Sequence, residues 1–165
     1  MKRLYLIGGP MGVGKTTVGH ALANKLENAI YIEGDLGWKD IPFIVNEENK
    51  KIVLNNIIEM VNSAFSNDYQ NVILGWVMDL QSTIDEIVSK TIAKGIKIYS
   101  ISLIANPETI TLRLENDFKN GVRKDDGVVE RSIKRIPHYD SLETIKINTS
   151  IFSVDEVTEL ILKIK

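Results

Sequence analysis

The chain contains no cysteine. That excludes disulfides, thiolate metal sites and cysteine nucleophiles, and it leaves the redox compartment open. No apolar run reaches 18 residues, so no membrane-spanning helix is expected. Neither sign of charge dominates: 20 Lys and Arg stand against 22 Asp and Glu, a net charge of −2. Broad electrostatic binding to nucleic acid or to an anionic membrane is therefore not expected. No repeat, low-complexity run or linker interrupts the chain, and no Ser–His–Asp set or cluster of His and carboxylates with metal-ligand spacing stands out. What is present is ordinary for a globular protein: 165 residues, 44% of them hydrophobic and 25% charged. This composition predicts one domain, residues 1–165, with a real core.

One segment carries most of the functional information. Gly9-Pro10-Met11-Gly12-Val13-Gly14-Lys15-Thr16 matches the phosphate-binding pattern G-x-x-x-x-G-K-[ST] at every fixed position. A chance match in a chain of this length is on the order of one in a hundred or rarer. The context is also the one the motif needs, with an apolar strand, Leu4–Ile7, before it and a helix-period run to Leu26 after it. Glycines let the backbone wrap closely around an anion. Successive N–H groups and the helix N-terminus then favour negative charge. Lys15 is expected at the β- and γ-phosphates, the Thr16 hydroxyl on Mg²⁺, and Thr17 at the α-phosphate. The two basic residues Lys2 and Arg3 precede an apolar stretch too short for a signal-peptide core. ATP use without an export signal gives a cytoplasmic expectation.

Strand-like and helix-like segments alternate along the chain. Further strands are predicted at Ala29–Ile32, Val72–Val77, Ile96–Ile104 and Thr144–Asn148. Val72–Val77 is apolar throughout, as a strand covered on both faces should be. Helices are predicted after Asn46, from Ser82 to a stop at Gly95, after the cap Asn106-Pro107, from Val128 to Ile136 before Pro137, and after the capping box Ser153–Glu156. Five strands separated by helices imply an α/β fold of three layers, with a mostly parallel sheet. Ligands in such sheets bind outside the carboxyl ends of the strands.

That rule selects further candidates. Asp35 and Glu33 follow the second strand, where a carboxylate can hold a metal-bound water or take the proton of an attacking hydroxyl. Asp35 also suits a turn in which its side chain bonds its own backbone. Between Asp117 and Arg135 lie six basic residues. A glycine-flanked loop, Gly121 to Gly127, places Arg123 where a lid would close over ATP, and Arg131 and Arg135 share a helix face. A solvated loop and helix with internal ion pairs is the plainer alternative. Trp38 and Trp76 suit a pocket wall or core packing. His20 reads as a surface residue and His138 as a turn residue.

Taken together, these residues resemble a small P-loop kinase of the nucleoside monophosphate kinase and shikimate or gluconate kinase superfamily, over most of the chain. The resemblance rests on the N-terminal phosphate loop and on Asp35, placed like the acid that shikimate-kinase-like members use for substrate or magnesium. It also rests on Arg123-Lys124-Asp125-Asp126 with Arg131 and Arg135, similar to an adenylate-kinase lid, and on Asn148-Thr149-Ser150, similar to the loop beside the adenine. It implies a P-loop NTPase fold with a helical acceptor region at about 36–66 and a small lid at about 119–128. One departure matters. Where adenylate kinases place an aspartate after Val72-Ile73-Leu74, this chain has Gly75, then Trp76, so Asp35 would have to support the metal. The arginine that grips a monophosphate acceptor has no match either, which argues against AMP.

The expectation is an ATP- and Mg²⁺-dependent phosphotransferase acting on a small hydroxylated acceptor. Gly9, Gly12, Val13, Gly14, Lys15, Thr16 and Thr17 would hold the triphosphate, with Arg135 and Thr149 as further nucleotide contacts. Thr16 and Asp35 would hold the metal. Lys15, Asp35, Arg123 and Arg131 would act on the reacting groups. The acceptor region carries Trp38, Phe43, Asn46, Asn49, Asn55 and Asn56 and few arginines, and Arg113 is the nearest basic candidate elsewhere, so a neutral or zwitterionic acceptor fits better than a polyanion. The rival is a nucleotide-binding regulatory switch with slow hydrolysis and a protein partner, favoured by the missing third-strand acid.

Overall fold

The computed structural model describes residues 1–37, 46–123 and 127–164. Five strands form one sheet: β1 (Arg3–Gly8), β2 (Ala29–Glu33), β3 (Asn71–Gly75), β4 (Lys97–Ile104) and β5 (Ile145–Asn148). Their spatial order is β2-β3-β1-β4-β5, and every pairing is parallel. All five carboxyl ends therefore lie along one rim. Six helices cover the sheet: α1 (Lys15–Lys25), α2 (Glu47–Ser66), α3 (Gln81–Lys90), α4 (Pro107–Lys119), α5 (Val128–Arg135) and α6 (Val154–Leu162).

The two-residue period of the strands divides the core into two layers. Leu4, Leu6, Val72 and Leu74 face α2 and α3, meeting Val53, Ile57, Val61 and Ile87. Tyr5, Ile7, Ile73, Ile101 and Leu103 face the other way, meeting Val18 and Leu22 of α1, Ile110 and Leu114 of α4, and Val157 and Ile161 of α6. This is the three-layer α/β arrangement that the alternating sequence pattern predicts, with a sheet that is wholly parallel. Among the described residues, no helix is long and apolar enough to cross a membrane.

Several caps sit where the sequence places them. Asn46 accepts from the Asn49 amide at 2.7 Å, Asn106 from the Thr109 amide at 2.8 Å, and Ser153 and Glu156 form a reciprocal box. Helix α3 differs. It starts at Gln81 after Leu80, with no side-chain cap, and ends at Lys90 rather than near Gly95. The cause is Asn62 of α2, which is buried. Its Nδ2 donates to the Lys90 carbonyl at 3.1 Å, and its Oδ1 accepts from the Ile92 amide at 3.0 Å. A fixed side chain thus takes over the helix end, and Gly95 (φ 66) serves the turn into β4 instead. Strand β3 stops at Gly75, two residues early. The chain beyond it turns to brace the start of the phosphate loop: the Val77 carbonyl accepts from the Gly9 amide at 3.2 Å and from the buried Tyr139 hydroxyl at 2.7 Å.

Candidate active site

The phosphate loop joins β1 to α1 at the carboxyl rim. Gly12 has φ 78, and a Cβ there would lie 2.8 Å from Leu114 Cγ; the position needs glycine both for its backbone and for its close approach to α4. The loop is pinned from behind. Thr149, buried after β5, donates its hydroxyl to the Val13 carbonyl at 2.9 Å. Arg113 of α4 donates to the same carbonyl at 3.1 Å, to Thr149 Oγ1 at 3.0 Å and to the Thr149 carbonyl at 2.8 Å. Fully buried Ser132 of α5 donates to the Met11 carbonyl at 2.6 Å. In a trans peptide the N–H points opposite to the C=O. Fixing the Met11 and Val13 carbonyls therefore aims the Gly12 and Gly14 amides away from these braces.

Lys15 opens α1 and folds back over the loop, donating to the carbonyls of Gly9 at 2.9 Å and Pro10 at 3.0 Å. Burial drives its ammonium down to about 8, while Asp35 first and then Glu33 pull it up and Arg123 and Arg135 push it further down. Those four side chains come from three separate stretches of sequence, and all act electrostatically on one amine. Thr16 and Thr17 are exposed at the first turn of α1.

The two carboxylates play different parts. Glu33 closes β2, and one of its oxygens, Oε2, accepts from the Thr16 hydroxyl at 2.8 Å and from the Tyr31 hydroxyl at 2.9 Å. Asp35 lies two residues on, exposed in the 3-10 turn Gly34–Gly37. Among the described residues its carboxylate accepts no hydrogen bond, so the backbone-bonded turn weighed in the sequence is not what forms. Trp76 supports this turn from below: a Cβ on Gly34 would meet Trp76 Cγ at 2.5 Å. Asn56 of α2 adds a long contact, 3.5 Å, to the Gly37 carbonyl.

The basic segment is split. Arg123 is half-buried with its Nε 3.9 Å from Asp117, and that Nε is buried with no hydrogen-bond partner among the described residues. Arg135 pairs with Asp79 at 3.6 Å, and Asp79 also meets His138 Nδ1 at 3.3 Å. Arg131 is exposed one helical turn before Arg135. Trp38, Phe43, Lys124, Asp125 and Asp126 lie outside the described residues. A groove of about 1000 Å³ lies on the outer flank of β2, between Ile30 and Leu36 on one side and Met60 and Asn67 on the other. Neither Lys15 nor Thr16 nor Asp35 lines it, so it is not the phosphate site.

Arg113, considered in the sequence as an acceptor contact, spends its hydrogen bonds on the loop brace. Thr149, expected beside the base, points its hydroxyl into that brace. Tyr31, Ser132 and Asp79 escaped sequence reasoning as parts of the site. Tyr31 alone left a usable signal, since the two-residue period of β2 puts it on the same face as Glu33.

The fold is shared with solved proteins that include small kinases. A gluconokinase from Sinorhizobium meliloti 1021 superposes with a TM-score of 0.70 at 16% identity, over 96% of this chain and 88% of that one. A tunicamycin resistance protein from Deinococcus radiodurans gives 0.72 at 19%, over 98% and 94%. A shikimate kinase from Acinetobacter baumannii, solved with shikimate, gives 0.65 at 20%, over 99% and 92%. No curated protein matches the chain significantly. Residues 6–135, from the middle of β1 to the end of α5, match the family described as AAA domain, and the chain belongs to that family.

Proposed function

We propose that this protein is an ATP- and Mg²⁺-dependent phosphotransferase whose acceptor is a small hydroxylated molecule. The observation that carries the reading is the phosphate loop itself, with Lys15 folded over it at the Gly9 and Pro10 carbonyls and the Glu33 carboxylate against the Thr16 hydroxyl. A loop that only bound nucleotide would need no carboxylate beside its threonine, and Asp35, Glu33, Arg123 and Arg135 all act electrostatically on Lys15. Phosphoryl transfer needs both halves, positive charge over the moving group and a carboxylate beside the attacking oxygen. In this reading the Gly12 to Thr17 amides hold the triphosphate and Lys15 leaves the Gly9 and Pro10 carbonyls for the β- and γ-phosphates. Among the described residues the buried Nε of Arg123 has no acceptor, which is costly in isolation, and a phosphate oxygen would supply one once the side chain swings to the loop. Arg135 would exchange Asp79 for the nucleotide. Asp35, exposed and without a hydrogen bond among the described residues, orients the acceptor hydroxyl and takes its proton. Thr149 serves the nucleotide by holding Val13.

Thr16, Glu33 and Asp35 suit magnesium. They are hard oxygen donors beside a phosphate site, and among the described residues no cluster of three or more His, Cys, Asp or Glu could cage a metal unaided. Bound there, the ion would neutralise charge between the β- and γ-phosphates. A threonine oxygen that ligates a cation still has its proton to give, and here that proton already points at Glu33. Support for the acceptor class comes from the shared fold, whose other members include a gluconokinase and a shikimate kinase. The acceptor's identity rests with experiment. ADP release is to be followed over a panel of nucleosides, sugars, aminoglycosides and nucleotides, with Lys15→Ala as control. Acceptor-stimulated turnover that Lys15→Ala abolishes is the expected result. Nucleotide binding with no acceptor anywhere in the panel would favour a regulatory switch instead.

A further inference from the structure

Glu33 and Gly75 are direct partners in the β2–β3 register. The carboxylate beside Thr16 therefore enters from β2, next to the strand-end position where β3 offers none. One side chain explains why both residues are as they are. The Tyr31 ring lies between α1 and the sheet, and two glycines make room for it. A Cβ on Gly19 would fall 2.2 Å from Tyr31 Cε2, and a Cβ on Gly75 would fall 2.3 Å from the Tyr31 hydroxyl oxygen. His20 closes over the ring, with centroids 4.5 Å apart. So held, the hydroxyl donates to Glu33 Oε2 at 2.9 Å, the same oxygen that accepts from Thr16 at 2.8 Å.

We infer that Tyr31 is the positioning residue for the metal-side carboxylate: its hydroxyl, seated over Gly75, fixes Glu33 against Thr16 so that a β2 acid serves where β3 carries no side chain. This rests on the reading above that the loop binds a metal–nucleotide complex. The physical content is a rotamer constraint. Glu33 is half-buried on an edge strand, and a glutamate there has rotamer freedom to lose. Two hydroxyl donors on one oxygen fix that oxygen before the metal arrives. Partners of metal-site carboxylates typically change metal affinity by about 10–100-fold when removed.

The test uses the full chain and calorimetric titration with ADP, once with excess Mg²⁺ and once with chelator. Tyr31→Phe keeps the ring, and with it the packing on Gly19 and Gly75, and deletes one donor. The expected result is a roughly tenfold loss of the affinity gain that Mg²⁺ confers, with metal-free ADP affinity and the unfolding midpoint close to wild type. Glu33→Gln should lose the same gain, and the double variant should lose no more than Glu33→Gln alone, because Tyr31 acts through Glu33. A purely structural tyrosine would instead weaken both titrations alike. If the Mg²⁺-dependent gain in Tyr31→Phe equals wild type, or if the double variant is additive, the positioning role is wrong while the metal–nucleotide reading stands. If wild type itself gains nothing from Mg²⁺, both fall.

Discussion

Nucleotide affinity should fall as pH rises through 8, and the size of the fall follows from Lys15. In the ligand-free protein burial holds its ammonium at about 8, and the Gly9 and Pro10 carbonyls are its hydrogen-bond acceptors. A polyphosphate adds several negative charges at that spot, so the bound state favours the charged amine and its pKa rises on binding. Binding above pH 8 must then take up a proton. With the free-protein value at about 8, roughly nine-tenths of the amine is charged at pH 7 and roughly one-tenth at pH 9. The apparent Kd for Mg·ATP should therefore rise about tenfold between those limits, or about 1.4 kcal/mol. Calorimetry at pH 8 in two buffers of different ionisation enthalpy should report uptake of about half a proton. Phosphate's own second ionisation lies lower, at about pH 6, and does not enter this window. Lys15→Arg, which stays charged throughout, should flatten the profile whatever its absolute affinity. A wild-type Kd that is level from pH 7 to 9, with no buffer-dependent heat, would refute the assignment of Lys15 as a depressed, phosphate-facing lysine.

Two comparisons probe the scaffold behind the site. Gly12 and Gly14 both have positive φ, 78 and 104, but only Gly12 is crowded, since nothing lies within 4 Å of a Cβ built on Gly14. Gly14→Ala should therefore cost about 1–2 kcal/mol for backbone alone, and Gly12→Ala should cost more because Leu114 must also move; urea unfolding midpoints in the reverse order would contradict this. Arg113→Ala removes a charged donor from the Val13 and Thr149 carbonyls and the Thr149 hydroxyl. It should cost about 2–3 kcal/mol in denaturant unfolding. Arg113→Lys should recover little of that, because one ammonium does not reproduce a planar fork.

Much of the architecture is legible in the sequence, for a physical reason. Strands covered on both faces leave uninterrupted apolar runs such as Val72-Ile73-Leu74, and helix starts at Asn46, Asn106 and Ser153 are local chemistry, written within three or four residues. The errors occurred where a distant residue decided a local event. Helix α3 ends at Lys90 because Asn62, 28 residues earlier, donates to its last carbonyl. Strand β3 ends at Gly75 because Val77 is needed by Gly9 and Tyr139, 62 residues beyond it. No window of sequence contains either cause.

The candidate site divides along the same line. Contiguous parts of it, Gly9 to Thr17, announce themselves as a motif. Its lateral parts do not, and the missing acid of β3 shows why. Scanned along one strand, Gly75 reads as a deficiency, and the substitute is sought far back along the chain, at Asp35. Across the sheet, the substitute proposed above is one hydrogen-bonded step away, because parallel register sets Glu33 beside Gly75. The relevant sequence signal is therefore a pairing between strands: Tyr31 and Glu33 on one face of β2, and glycine at both Gly19 and Gly75, the two places where a side chain would strike that tyrosine. A vacant motif position says little until it is known what fills the space it leaves. Here a phenol fills it, bonded to a carboxylate that also meets Thr16, so the vacancy argues for an acid supplied from the neighbouring strand and against a loop that has lost its metal support.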